Sequence, residues 1–272
     1  MVSVEPARRG RPEKVQFLFT EVIEYRNTPR WVGIPWRFDR AVSQINEIKR
    51  LIPPAVEAWD GQHPSVRAPL EDPEKFELVG NVGTSWNYHD NHLAEITLLA
   101  SETIHHLRAA LDYLAYQMVL ADVGKVKGKT QFPISTHPAK FRSELKSRLP
   151  GIRPAHASLV EAVQPYKGPT WAGDLARLSN RDKHRWPVDV TVGYMCTINM
   201  EDFYLDPLGQ DSHLGYQIEE AELTFRFVDA LGSDNSDLEV IPTLEGVLKG
   251  AVNLTVDVLD AYNVTEIQIT RM

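Results

Sequence analysis

A single cysteine, Cys196, stands in 272 residues, so no internal disulfide framework staples this chain, and a lone thiol fits a reducing compartment. Long apolar runs are missing too. The longest uncharged one, 190–200, falls far short of the roughly 20 residues that a bilayer requires. Positive charge is not in excess: 29 Lys and Arg against 37 Asp and Glu leave a formal net charge of -8. That excludes a broad basic surface for nucleic acid while leaving room for a local basic pocket. Residues 1–14 lack the apolar core of a signal peptide and read as a charged tail. Neither a glycine-rich phosphate loop nor a nucleophile elbow occurs. The expectation is a soluble, cytoplasmic protein with no membrane contact, no cofactor and no metal.

What is present is ordinary globular composition, 43% hydrophobic and 24% charged, on a chain long enough for one large core or two smaller ones. The strongest periodicity runs through Ile96, Ala100, Ile104, Leu107, Leu111, Leu114 and Met118, at spacings of three and four. It predicts one continuous helix over 92–121, capped by Asp90 or Asn91 and stopped by Gly124. A second helical pattern starts at Arg37, through Phe38, Val42, Ile45, Ile48 and Ile52, and Pro53-Pro54 should end or kink it. Shorter helices are predicted from a Thr136 cap through Leu149, at about 156–164 and at 171–184, with a last one capped by Thr243. Strands are predicted at 15–25, 76–82, 188–200, 215–228 and 264–269.

The fold class expected is α+β, mainly a helical bundle built on one long helix, with a smaller β-rich C-terminal portion. The divisions are 1–36 for the tail and first strand, 37–187 for the bundle, and 188–272 for the β-rich segment with its C-terminal helix. A stripe of about 45 Å on the long helix outruns the short helices available to cover it, which suggests a homodimer.

Two polar clusters could carry chemistry. The segment 177–185 holds Arg177, Asn180, Arg181, Asp182, Lys183, His184 and Arg185, combining guanidinium, ammonium, carboxylate and imidazole within about two helical turns. A helix end also accounts for its cations, since they complement the free carbonyls. Upstream, Ser101, His105, Arg108 and Asp112 follow at spacings of four, three and four, a polar stripe beside the apolar face. Each cluster carries the charge that the other lacks, so Arg108 or Asp112 is expected within ion-pair reach of 177–185. His89, Asp90 and His92 offer too few ligands at a recognised spacing for a metal site. Cys196, in a predicted strand, reads as a core residue.

The runs 104–115 (IHHLRAALDYLA), 131–134 (QFPI), 164–166 (QPY) and 180–185 (NRDKHR) resemble a recurrent set in uncharacterised bacterial and phage proteins. More distantly the chain resembles the HEPN superfamily, helical bundles that often dimerise and act as metal-independent ribonucleases. Their signature is an Arg followed after four to six residues by a His, which Arg177 and His184 match. The resemblance implies RNA cleavage by the neighbouring 2′-hydroxyl, with His184 as general acid or base and Arg177 stabilising the charged phosphorane. Asn180 and Asp182 would complete the site, supported by His105, Arg108, Asp112, Lys183 and Arg185. A toxin or phage-defence role would follow, with RNA as partner. The alternative is a non-enzymatic helical protein that dimerises or binds a partner, its polar clusters serving the fold.

Overall fold

The long apolar periodicity becomes a single helix in the computed structural model. The structure describes residues 31–59, 65–69, 77–79, 91–126, 128–184, 189–205, 213–228, 238–265, 267 and 269–272, with backbone alone at 57–59, 65–69, 77–79, 91, 181–184, 189, 191–205, 213–223 and 228. Helix α2 (Asn91–Val123) runs for 33 residues. Its seven stripe residues from Ile96 to Met118 are at most 1% exposed, and each Ile, Leu or Met among them is worth about 1.5–3 kcal/mol relative to standing in water. Gly124, at φ 75°, ends it by donating its N–H to the Leu120 carbonyl at 2.8 Å. Asp90, the other expected cap, lies outside the described residues.

The stripe is covered within the chain. Helix α1 (Gly33–Trp59) lies antiparallel to α2, burying Ile34, Phe38, Ala41, Ile45, Ile48 and Ala55. It does not end at Pro53-Pro54, one of the two outcomes expected, but runs through them. The two prolines forfeit their own N–H bonds, but Ile48 and Ala55 hold the same buried face on either side of them. Helix α6 (Val240–Ala261) adds Leu244, Val247, Leu248, Ala251, Leu254 and Val258. So the expectation that the helices available are too short to cover α2 is corrected: α1 and α6 are long enough to do it.

Shorter helices close the bundle: α3 (Pro138–Arg148), α4 (Pro154–Ala162) and α5 (Trp171–His184), with a 3-10 turn at Pro165–Lys167. Prolines start α3 and α4, where a missing N–H costs nothing. His137, not Thr136, is the N-cap of α3, and Glu239, not Thr243, that of α6. Helix α6 starts four residues earlier than expected, and Pro242 falls in its first turn, where no N–H partner is needed.

Strands β1 (Ser65–Pro69), β2 (Glu77–Val79), β3 (Asp189–Leu205) and β4 (His213–Val228) form one antiparallel sheet in the order β2-β1-β4-β3. The expected β-rich C-terminal portion is corrected on this point. The sheet recruits β1 and β2 from the segment before α2, while the C-terminal helix belongs to the bundle core. Alternation on β4 turns Phe225 and Phe227 inward with Val190 of β3, and all three join the helical core. No strand forms at the described residues of 264–269. Instead the C-terminal backbone is tied to α6, with Met272 N–H donating to Asn253 Oδ1 at 3.1 Å. The strand expected at 15–25 lies outside the described residues.

Candidate functional site

Arg108 and Asp112, one turn apart on α2, face the loop before α3 rather than solvent. The Arg108 guanidinium, 8% exposed as a residue, donates to the Phe132 carbonyl at 2.7 Å. Asp112 Oδ1 accepts the Phe132 N–H at 2.9 Å, and the two side chains pair at 3.0 Å. Together they answer both backbone polar groups of Phe132, whose ring is fully buried. Gln164 does the same one step along. Its Oε1 accepts Ser135 N–H at 2.8 Å, and its Nε2 donates to the Pro133 carbonyl at 3.0 Å and to Val160 at 2.8 Å. Ser135 Oγ donates to Glu144. A short extended segment thus enters the core with side chains standing in for a neighbouring strand. Burial and a hydrogen bond to Glu161 push the nearby Tyr166 hydroxyl up to about 12. These residues belong to three of the four runs that carry the resemblance to uncharacterised bacterial and phage proteins, and here they hold 132–135 in place.

A third cluster escaped the sequence reading. Asp122, near the end of α2, has a fully buried carboxylate. It accepts Arg153 N–H at 2.8 Å and Arg153 Nε at 2.7 Å, and His156 Nδ1 lies 3.0 Å from both oxygens. Burial alone would raise its pKa, but these donors outweigh it and hold the carboxyl below its ordinary value. Asp122 thereby caps α4 from another helix, since Arg153 is the N-cap residue of α4. The His156 ring lies 3.9 Å from that of Tyr262, whose hydroxyl donates to the Met118 carbonyl at 3.2 Å. Burial and the Asp122 charge raise the Tyr262 pKa. One signal was legible: a carboxylate in the last turn of a helix opposes the macrodipole and needs partners elsewhere.

The 177–185 segment is only partly described. Helix α5 is continuous to His184, so Arg177 and His184, seven residues apart, lie about 20° from each other around it. Arg177 and Asn180 are exposed, and Arg177 pairs with Asp174 at 3.6 Å. The side chains of Arg181, Asp182, Lys183, His184 and Arg185 lie outside the described residues. Among the described side chains no ion pair joins this segment to Arg108 or Asp112, which are already engaged with each other and with Phe132. A cleft of about 330 Å³ lies between the starts of α5 and α6, where Asp174 and Glu239 complement the helix ends.

His105 does not join its helix neighbours Arg108 and Asp112; it stands exposed on the outer side of α2. There Arg37 of α1 donates to His106 Nδ1 at 2.9 Å and to the Tyr113 hydroxyl at 3.2 Å, lying over the Tyr113 ring at 5.4 Å. Around it stand Trp36 at 68% exposure, Tyr113 at 42% and Tyr116 at 41%. Helical spacing placed His105 in one stripe with Arg108 and Asp112 and did not single out the exposed rings of Tyr113 and Tyr116. Among the described residues no group of three or more His, Cys, Asp or Glu could hold a metal, and no helix is long and apolar enough to cross a membrane. His89 and Asp90 lie outside the described residues. Searches against protein-family models, curated proteins and solved structures return no match to this chain.

Proposed function

We propose that the protein is a helical self-association module whose interface is the outer face of α1 and α2, seated on a second copy of the chain. One observation carries this reading. Of the eight large hydrophobic residues exposed among those described, six stand on α2 or beside it at the start of α1: Val32, Trp36, Leu98, Tyr113, Tyr116 and Val123. Trp, Tyr and Arg on one face are the composition of an interface core rather than of a solvated surface.

The spacing favours a second copy. Counted from Ala109, His105 and Tyr113 lie four residues to either side, and Glu102 and Tyr116 seven. An antiparallel pair of α2 helices crossing at Ala109 sets each Tyr116 hydroxyl toward Glu102 of the other copy, and each Tyr113 ring toward His105. A small residue at the crossing lets the helices approach closely, and a twofold axis makes every contact occur twice. Light scattering tests it. The wild type is expected at twice its 30.8 kDa chain mass, and Tyr116→Glu at the single-chain mass with its melting temperature unchanged. A wild-type monomer at micromolar concentration overturns the reading.

A metal-independent, HEPN-like ribonuclease is the second reading, favoured by one observation. Helix α5 is continuous from Arg177 to His184, which aligns the two along one side of it with Arg177 and Asn180 exposed. RNA cleavage in EDTA that vanishes in Arg177→Ala and His184→Ala, with both variants folded, supports it. A wild type that cuts no RNA removes it.

A further inference from the structure

His106 sits where the proposed interface is organised. Its Nδ1 accepts a hydrogen bond from the Arg37 guanidinium, a group that can only donate, so this ring nitrogen carries no proton. The same guanidinium is fixed over the Tyr113 ring and bonded to its hydroxyl. Neutral His106 therefore holds Arg37 down against Tyr113 on the face proposed to pair. Protonation removes the acceptor and sets an imidazolium against the guanidinium. Arg37 must then leave the Tyr113 ring.

Resting on the self-association reading, we propose that His106 is a pH-sensitive latch for the α1–α2 face, assembled when neutral and released when protonated. The charged groups bearing on it are Arg37 and Arg40 from α1, and Glu102 and His105 from its own helix. Burial, then Arg37, His105 and Arg40, lower its pKa from the ordinary 6.5, and Glu102 opposes them. Release accordingly begins below that value.

Sedimentation velocity on the intact chain at about pH 8 and about pH 5 tests this, with circular dichroism to follow folding. The wild type is expected at twice 30.8 kDa at the higher pH and at 30.8 kDa at the lower, still helical. His106→Gln, which keeps an acceptor and cannot be protonated, is expected to remain a dimer at both. His137→Gln, at the exposed start of α3, should dissociate as the wild type does. A wild type that stays dimeric at both pH values overturns the latch and leaves the interface standing. Dissociation of wild type and His106→Gln alike at low pH also overturns it. A monomer at the higher pH overturns the interface reading and the latch with it.

Discussion

The two sides of α2 use the same residue types to opposite ends. On the side toward the 131–135 loop, Arg108 and Asp112 are sunk into the protein and engaged with the Phe132 backbone. On the outer side, His105, Tyr113 and Tyr116 stand in solvent, with Arg37 laid across one of the rings. A polar residue beside an apolar stripe has two fates, and helical spacing alone does not separate them. What separates them is whether another stretch of backbone arrives with unsatisfied N–H and C=O groups. Where Phe132 arrives the charges become structural, and where no such backbone arrives among the described residues the aromatic rings stand exposed.

The contrast makes its largest prediction at Arg108. Removing one partner of a buried, hydrogen-bonded ion pair typically costs about 3–5 kcal/mol, so Arg108→Ala should lower the urea midpoint steeply. Trp36→Ala, on the other face, should stay within about 0.5 kcal/mol of wild type when monomeric proteins are compared. Equal losses at the two positions break the distinction between the faces. Gln164→Glu sharpens it: the acceptor for Ser135 survives, while the Pro133 and Val160 carbonyls lose their donor and face a fully buried carboxylate. Each unsatisfied carbonyl costs about 1–3 kcal/mol and the buried charge adds to it, a loss comparable to that at Arg108.

Acid sensitivity comes next. The Asp122 carboxyl is held below its ordinary value of 3.8 in the folded protein. Its stabilisation is present in full above that value and is lost as the pH falls below it through the folded pKa. Asp122→Asn should flatten this part of the stability profile while lowering stability at neutral pH. His106 adds a separate slope of the same sign. Its folded pKa is lowered from 6.5, so the unfolded chain binds the proton more readily, and stability falls as the pH drops below that value. His106→Gln should remove this slope and leave the Asp122 one.

Much of the helical frame was legible in the sequence because it rests on local physics. The stripe from Ile96 to Met118 announced α2, Gly124 announced its end, and Phe225 and Phe227 alternated as a half-buried strand must. What could not be read depends on residues far apart in the chain. Nothing near Arg108 points to Phe132, 24 residues on, or near Asp122 to Arg153, 31 residues on. Pro53-Pro54 misled because local propensity gave way to burial on both sides of the pair. The buried stripe of α2 suggested a dimer because the reach of α1 past its prolines is not legible in residue spacing.

The most direct test is a cross-link at the centre of the proposed interface. Two Ala109→Cys side chains on either side of a twofold crossing at that residue come within disulfide range, roughly 4.4–6.8 Å between Cα atoms. In a Cys196→Ser background, mild oxidation of Ala109→Cys should convert the protein to a covalent dimer. A control cysteine at exposed Lys249, on α6, should leave it single. Failure to cross-link at Ala109, or equal cross-linking at both positions, contradicts an interface on the outer face of α2.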